Sequence, residues 1–480
     1  MLLKNTEILD SEFKPRLTDI RLSDGKVSEL GLLSPLRNEE IIDGKQGLVI
    51  PGLNDHHTHL ASYAASLNSI KCGPPEVNSP EELILALESA PGSEWLRGIG
   101  FHESVSSEID RAWLDKYGPE RPIRIQHRSG RLWILNSLGQ AIIDERATRL
   151  TRIERKRLSK ADGKLYDVDD LISNLTHREP PPLKTASDLL ASYGVTGVND
   201  MTPANDSKSA EWFRELQTQG DLRQKIVMSG RLELADCRFT ETLKLGSNKV
   251  HLHDNDLPDF QEFVDLITKS ERQSRSVAVH CVTEVALVFT LSAMRASGFS
   301  KGNRIEHASV IPPELIKQLH ELELTVVTQP NFVHEKGDNY LKEVPATEHD
   351  YLYRCRSLID ADVPLAFGTD LPFGKADPWK AMRAATDRKT LGGHVFNNKE
   401  RITPEQALGG FLGALESPFE KRKVTIGSTA DLCLMDSSWQ DIRSDLDARH
   451  VRLTIVDGEV VFLKKTENPD TFIHPKAKFV

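Results

Sequence analysis

The chain has 480 residues, a formal net charge of −10, 39% hydrophobic residues and 28% charged residues. That length exceeds one ordinary core and suits two domains, or one large barrel with an appendage. The acidic balance argues against a nucleic-acid surface, and no apolar run is long enough to span a membrane. Five scattered cysteines (Cys72, Cys237, Cys281, Cys355, Cys433) make no disulfide framework and suit a reducing compartment. Charge at Lys4 and Glu7 interrupts the first apolar residues. No secretory leader is expected, and the expected location is the cytoplasm.

Residues 1–50 read as short strands with turns at Asp24-Gly25 and Asp43-Gly44. Such a sheet cannot hold a core alone. Its expected partner is at the far end, in VTIGSTADLCLMD (424–436) and VRLTIVDGEVVFL (451–463). Residues 1–50 and 421–480 are therefore expected to form one composite β domain, a small β-sandwich built from both termini. The polar tail 464–480, with Pro469 and Pro475, reads as a surface extension.

At 48–60, LVIPGLNDHHTHL, an apolar run meets a turn and then a His-x-His pair. His57 and His59 leave the same face of a strand and point at one spot, as two metal ligands would. A chance pair in a loop has the same spelling, so the rest of the chain must decide.

From 51 to 420, strand-like runs alternate with helical ones. Strands are expected at 122–126, 195–199, 225–228, 249–253, 276–280, 303–306, 324–328 and 363–367. Helices are expected from Pro258 to Ser270, Glu284 to Ala296, Pro313 to Glu321, 378–388 and 403–416. In the last, Thr403 and Gln406 fit a capping box with Pro404 at the first helical position. Repeated strand–helix units of this number predict an α/β fold, a closed (β/α)8 barrel of the TIM type. With the His-x-His strand there is one candidate strand too many for eight. Residues 61–120 read as an insertion, and the charged stretch 146–184 as a second, exposed excursion.

Barrel active sites lie at the C-terminal ends of the strands. There stand His57 and His59, then His251 and His253 on the same parity as Lys249, then His280, His307 and Asp370. Polar groups on five separate strands are costly unless paired or ligating. They fit hydrolysis by metal-bound hydroxide, with Asp370 as ligand and general base. One or two divalent ions are expected, zinc first. A two-ion site needs an anionic bridge, which Lys249 supplies only when carboxylated.

The ordered motifs VIPGLNDHHTHL, ASYGVTGVNDM, KVHLHD, VAVHC, RIEHA, VVTQPNF, LAFGTDLPFG and GSTADLCLMD resemble the amidohydrolase superfamily of metal-dependent hydrolases. Within it they resemble the family 3 branch, related to N-substituted formamide deformylase. The resemblance covers nearly the whole chain. It implies metal ligands at His57, His59, Lys249, His280, His307 and Asp370. It also implies departures: His253 where an acidic residue is common, Arg131 in place of a histidine, and Glu284 in place of an aspartate. Arg131, His251, His253 and Arg354 become candidate substrate-binding residues, although Arg131 and Arg354 have equally ordinary structural readings.

The expected activity is hydrolysis of a non-peptide carbon–nitrogen bond in a small molecule, an amide, formamide or cyclic amide. The alternatives are a mononuclear deaminase and a barrel kept for binding alone. A homodimer is compatible with the fold, but the sequence marks no interface.

Overall fold

The computed structural model describes the chain except residues 75, 93, 169–170, 173–174, 177–179, 255, 300, 466–471 and 474–480. Most of the polar tail therefore lies outside the described residues.

Eight parallel strands form the central sheet. In chain order they are β1 (Leu53–Thr58), β2 (Val195–Asp200), β3 (Lys225–Gly230), β4 (Leu243–His251), β5 (Val277–Cys281), β6 (Arg304–His307), β7 (Thr325–Thr328) and β8 (Leu365–Phe367). Each pairs with its sequential neighbour. The barrel closes just past β8: Asp370 N donates to His57 O (2.9 Å) and His59 N donates to Leu371 O (3.0 Å). Gly368 permits the approach, since a Cβ there would lie 2.5 Å from His57 Cβ.

The alternation of strands and helices holds around most of the ring. The helices Phe260–Arg272, Glu284–Ser297 and Pro313–Glu321 turn Phe263, Ile267, Leu287, Leu291, Leu315 and Leu319 inward. These pack on Val277, Val279, Ile305 and Val326, which face outward from their strands. Between β3 and β4 there is only a 3-10 turn, Leu232–Asp236. The helix expected over 403–416 ends early, at Gly409, followed by Gly410; its Thr403–Gln406 capping box is present.

The terminal strands form one mixed nine-stranded sheet. Leu2–Leu9 pairs with Pro15–Ser23, with Ile41–Asp43 and with Leu48–Pro51. Leu48–Pro51 in turn pairs with Leu432–Met435, which leads on to Val451–Val456 and Glu459–Leu463. The two ends of the chain share one core that includes Leu3, Ile20, Val49, Leu432, Leu453 and Ile455. The sheet abuts the start of β1 directly, because Leu48–Pro51 runs on into Leu53.

Residues 61–182 form a second compact unit with its own five-stranded sheet. The strand expected at 122–126 is Ile123–His127, the middle strand of that sheet, which accounts for the supernumerary barrel candidate. The reading of 146–184 as an exposed excursion needs correction. Leu158, Leu165, Val168, Ile172 and Leu175 are buried against Trp133, Leu135 and Ile143. Their apolar side chains are spaced singly among charged residues, which hides the buried face from a reading of composition.

Candidate metal centre

The centre lies where β1 meets the segment after β8. His56 turns away from it, its Nδ1 3.0 Å from Asn199 Oδ1, so alternation brings His57 and His59 to the other face. Ligand atoms of His57, His59 and Asp370 all lie within 4.8 Å of one another. Asp370 Oδ1 is 3.3 Å from His59 Nε2 and 3.6 Å from His57 Nε2. His307 joins them from β6, its ring centroid 4.6 Å from that of His57, and His280 follows at 4.4 Å from His307.

Three of these imidazoles are oriented through Nδ1. His57 Nδ1 is 2.6 Å from Glu306 Oε2, His59 Nδ1 is 3.1 Å from Thr202 Oγ1, and His307 Nδ1 is 2.8 Å from Gln329 Oε1. Each contact leaves Nε2 to the centre, the arrangement that fixes the tautomer of a metal-binding histidine. Glu306 is fully buried and accepts from Arg304 Nε at 2.7 Å. Burial alone would raise its carboxyl, but Arg304 and His57 together hold it well below the usual range, so it stays ionised.

Burial, helped by the charge of Lys249, pushes His57 down to about 3. Burial likewise takes His307 to about 4 and His280 well below its ordinary value. All three are neutral near pH 7, the form that donates a lone pair to a metal. Burial works the other way on Asp370, but the nearby His59, His57 and His307 outweigh it and keep its carboxyl below the usual range. His307 (φ 68°) and Asp370 (φ 57°) both sit in the left-handed region, a strained backbone that recurs at functional sites.

The residues present fit a divalent cation. They offer neutral nitrogens and an ionised carboxylate, and the buried His57 Nε2 has no hydrogen-bond partner among the described residues. This is a buried His/His/Asp cluster able to chelate one ion.

The profile of the amidohydrolase family matches residues 40–462. The chain belongs to the amidohydrolase family. Among relatives of this amidohydrolase, an N-substituted formamide deformylase of Arthrobacter pascens is 23% identical over 92% of this chain and 94% of its own length. The protein LONG AFTER FAR-RED 3 of Arabidopsis thaliana is 23% identical over 96% of this chain and 91% of its own. A metal-dependent hydrolase from Pyrococcus horikoshii OT3 shares the fold, with a TM-score of 0.77 and 21% identity, over 94% of this chain and 99% of its own.

In this amidohydrolase Lys249 lies near the C-terminal end of β4, not at its start as the sequence suggested, because the polar stretch Gly246-Ser247-Asn248 is strand rather than loop. Its buried Nζ has no hydrogen-bond partner among the described residues, and burial lowers its pKa to about 8. His251 ends β4; its ring lies 4.1 Å from that of His280 and stacks on His253 at 4.5 Å. The imidazoles thus run in a chain from His59 through His57, His307, His280 and His251 to His253. Arg131, in the 61–182 unit, makes a two-point ion pair with Asp167 (2.8 and 2.8 Å). Arg354 is held by Glu400 Oε1 (3.1 Å), Ile311 O (3.1 Å) and Ser357 Oγ (2.8 Å).

Sequence reasoning passed over several supporting residues. Asp55 is fully buried, accepts from the backbone N of His57 and Thr369 and from Thr369 Oγ1, and so ties β1 to the segment after β8. Glu306 and Arg304 stand two apart on one strand, a buried pair of opposite charges that the spelling RIEH does contain.

Proposed function

We propose that this amidohydrolase cleaves a non-peptide carbon–nitrogen bond in an amide, formamide or cyclic amide. The observation that carries the reading is the convergence of His57, His59 and Asp370 within 4.8 Å at the C-terminal mouth of the barrel. The similarity to an N-substituted formamide deformylase supports formamides as the first class to try.

His57, His59 and Asp370 would hold one divalent ion, zinc being the first expectation. His280 and His307 would hold a second, with Lys249 as a carboxylated bridge. Burial lowers Lys249 to about 8, which favours the neutral amine, the form that would add carbon dioxide. A bound ion supplies an acidified water and polarises the substrate carbonyl.

The protein's own groups do the rest. Asp370, ionised and beside both His57 and His59, takes a proton from the attacking water and returns it to the departing nitrogen. Glu306 and Gln329 keep His57 and His307 in fixed tautomers through the cycle. His251, the last residue of β4, and His253, stacked on it, would contact the substrate beyond the ligands.

A deaminase would want a glutamate beside a ligand histidine. Glu284 instead lies exposed in the first turn of the helix that follows His280, behind the Thr283 cap. The test is amine release from N-substituted formamides, linear amides and cyclic amides after chelation and re-addition of zinc, iron or manganese. Amine release that disappears on chelation and returns with metal supports the hydrolase. Ammonia released only from amino-substituted heterocycles would replace it with the deaminase.

A further inference from the structure

The segment that follows Asp370 carries an exposed phenylalanine beside the metal centre. Leu371 and Gly374 are buried, whereas Phe373 between them is 39% exposed. A lone exposed apolar residue is ordinary on a protein surface. What sets this one apart is where it stands. Its ring meets the His59 ring edge-on, with centroids 5.6 Å apart and the planes at 84°. Its backbone N donates to Asp370 O (2.7 Å). Among the described residues, no other phenylalanine, tyrosine or tryptophan ring lies against the clustered imidazoles.

The backbone around Phe373 is pinned on either side. Gly374 N also donates to Asp370 O (3.0 Å), which closes a tight turn. From the helix after β7, Asn331–Glu343, Asn331 Nδ2 donates to Thr369 O (3.1 Å) and to Glu335 Oε1 (3.3 Å). Both Glu335 oxygens accept from Lys375 N (3.2 and 3.1 Å). Gly374 permits the close approach, since a Cβ there would lie 2.3 Å from Thr369 O and from Asn331 Nδ2. Residues 369–375 are tied at both ends, and the phenyl ring projects from between the ties.

Exposure gives the side from which a ligand arrives. The side chains of His57 and Asp370 are 1% and 7% exposed, that of His59 13%. The centre is most open at His59, and the exposed Phe373 ring stands against it. His59 Nε2 is 3.3 Å from Asp370 Oδ1. The centre of the phenyl ring lies no more than one imidazole radius beyond 5.6 Å from that nitrogen. Apolar walls set beside a few fixed polar groups are how small-molecule sites take up the unreactive part of a ligand.

We propose that Phe373 is a specificity-determining residue whose ring receives an apolar substituent on the departing nitrogen of the substrate. The proposal rests on the hydrolase reading above, in which Asp370 returns a proton to that nitrogen. The nitrogen therefore comes to the Asp370 carboxylate, and the apolar surface beside Asp370 and His59 is Phe373. A charged or strongly hydrated substituent would lose water against the phenyl ring and gain no hydrogen bond from it.

The test is calorimetry on zinc-loaded protein with N-hydroxyformamides, which chelate metal and carry their tail on nitrogen. Lengthening that tail from methyl to butyl should tighten binding to the native protein roughly tenfold. In Phe373→Ala most of this gain disappears, while metal content and affinity for the N-methyl probe change little. Phe373→Leu, still apolar, keeps part of the gain. Phe373→Gln loses it, and decides the question if the alanine variant folds poorly. No gain in the native protein, or the same gain in native protein and Phe373→Gln, overturns the proposal. A Phe373-dependent gain confined to tails on the acyl side, read with acetohydroxamate and pentanohydroxamate, overturns the assignment to the nitrogen. Loss of the gain in Phe373→Ala, in a protein that hydrolyses no amide, sustains the apolar wall and removes the hydrolase reading instead.

Discussion

His57 Nδ1 lies 2.6 Å from Glu306 Oε2, and this contact decides which nitrogen of His57 faces the centre. A carboxylate can only accept, so Nδ1 carries the proton and Nε2 the lone pair. Glu306 can do this because Arg304, two residues before it on the same strand, compensates its buried charge. Substituting Glu306→Gln keeps the shape but removes the charge. Metal affinity should fall roughly 10- to 100-fold, measured by competition with a chromophoric chelator. Unchanged affinity would mean that Glu306 serves only the fold.

Asp370 is predicted to matter more for rate than for shape. In Asp370→Asn the proton acceptor is gone while the side-chain volume is kept. The value of kcat for amide hydrolysis should drop by about 10²–10⁴, with a smaller change in KM. A fall in KM affinity alone, at native kcat, would place the proton transfer elsewhere.

Asp55 is the clasp of the barrel. Its carboxylate accepts from His57 N (3.2 Å), Thr369 N (2.9 Å) and Thr369 Oγ1. Asp55→Ala would leave three buried donors without a partner where the first strand meets the last. The expected loss is about 3 kcal/mol or more, read as a lower urea midpoint with the metal removed. A midpoint within error of the native one would contradict this role.

Acid sensitivity should come in part from the terminal sheet. Arg21 pairs with Glu39 at 2.8 Å, and its hydrogen bond outweighs burial to hold the Glu39 carboxyl below its ordinary 4.5. The folded value is lower than the unfolded one, so the unfolded chain binds more protons just below pH 4.5. This stabilisation is complete above that pH and is lost as pH falls through the folded value. Glu39→Gln should therefore flatten the fall in thermal midpoint below pH 4.5. A fall as steep as in the native protein would show that Glu39 has no share in it.

Much of this was legible in the sequence for identifiable reasons. Strands such as SVAVH and NRIE announce themselves because both of their faces are buried. The His-x-His parity was legible because alternation admits only one arrangement of His56, His57 and His59. The partners that orient the ligands were not legible. Thr202, Gln329 and Thr369 are ordinary polar residues far away in sequence, and only closure of the ring brings them to His59, His307 and Asp55. By composition Gly246-Ser247-Asn248 reads as a loop, which moves the expected start of the strand to Lys249, whereas the strand begins at Leu243. The buried side of 146–184 was hidden by its charge density.

The most direct measurement is metal content per chain, on protein purified without chelator, beside Lys249→Ala and His57→Ala variants and a bicarbonate-supplemented preparation. The account predicts bound metal at one to two ions per chain, approaching two with bicarbonate. It predicts fewer ions in Lys249→Ala and severe loss in His57→Ala. Metal-free native protein that takes up no zinc, iron or manganese on titration would contradict it.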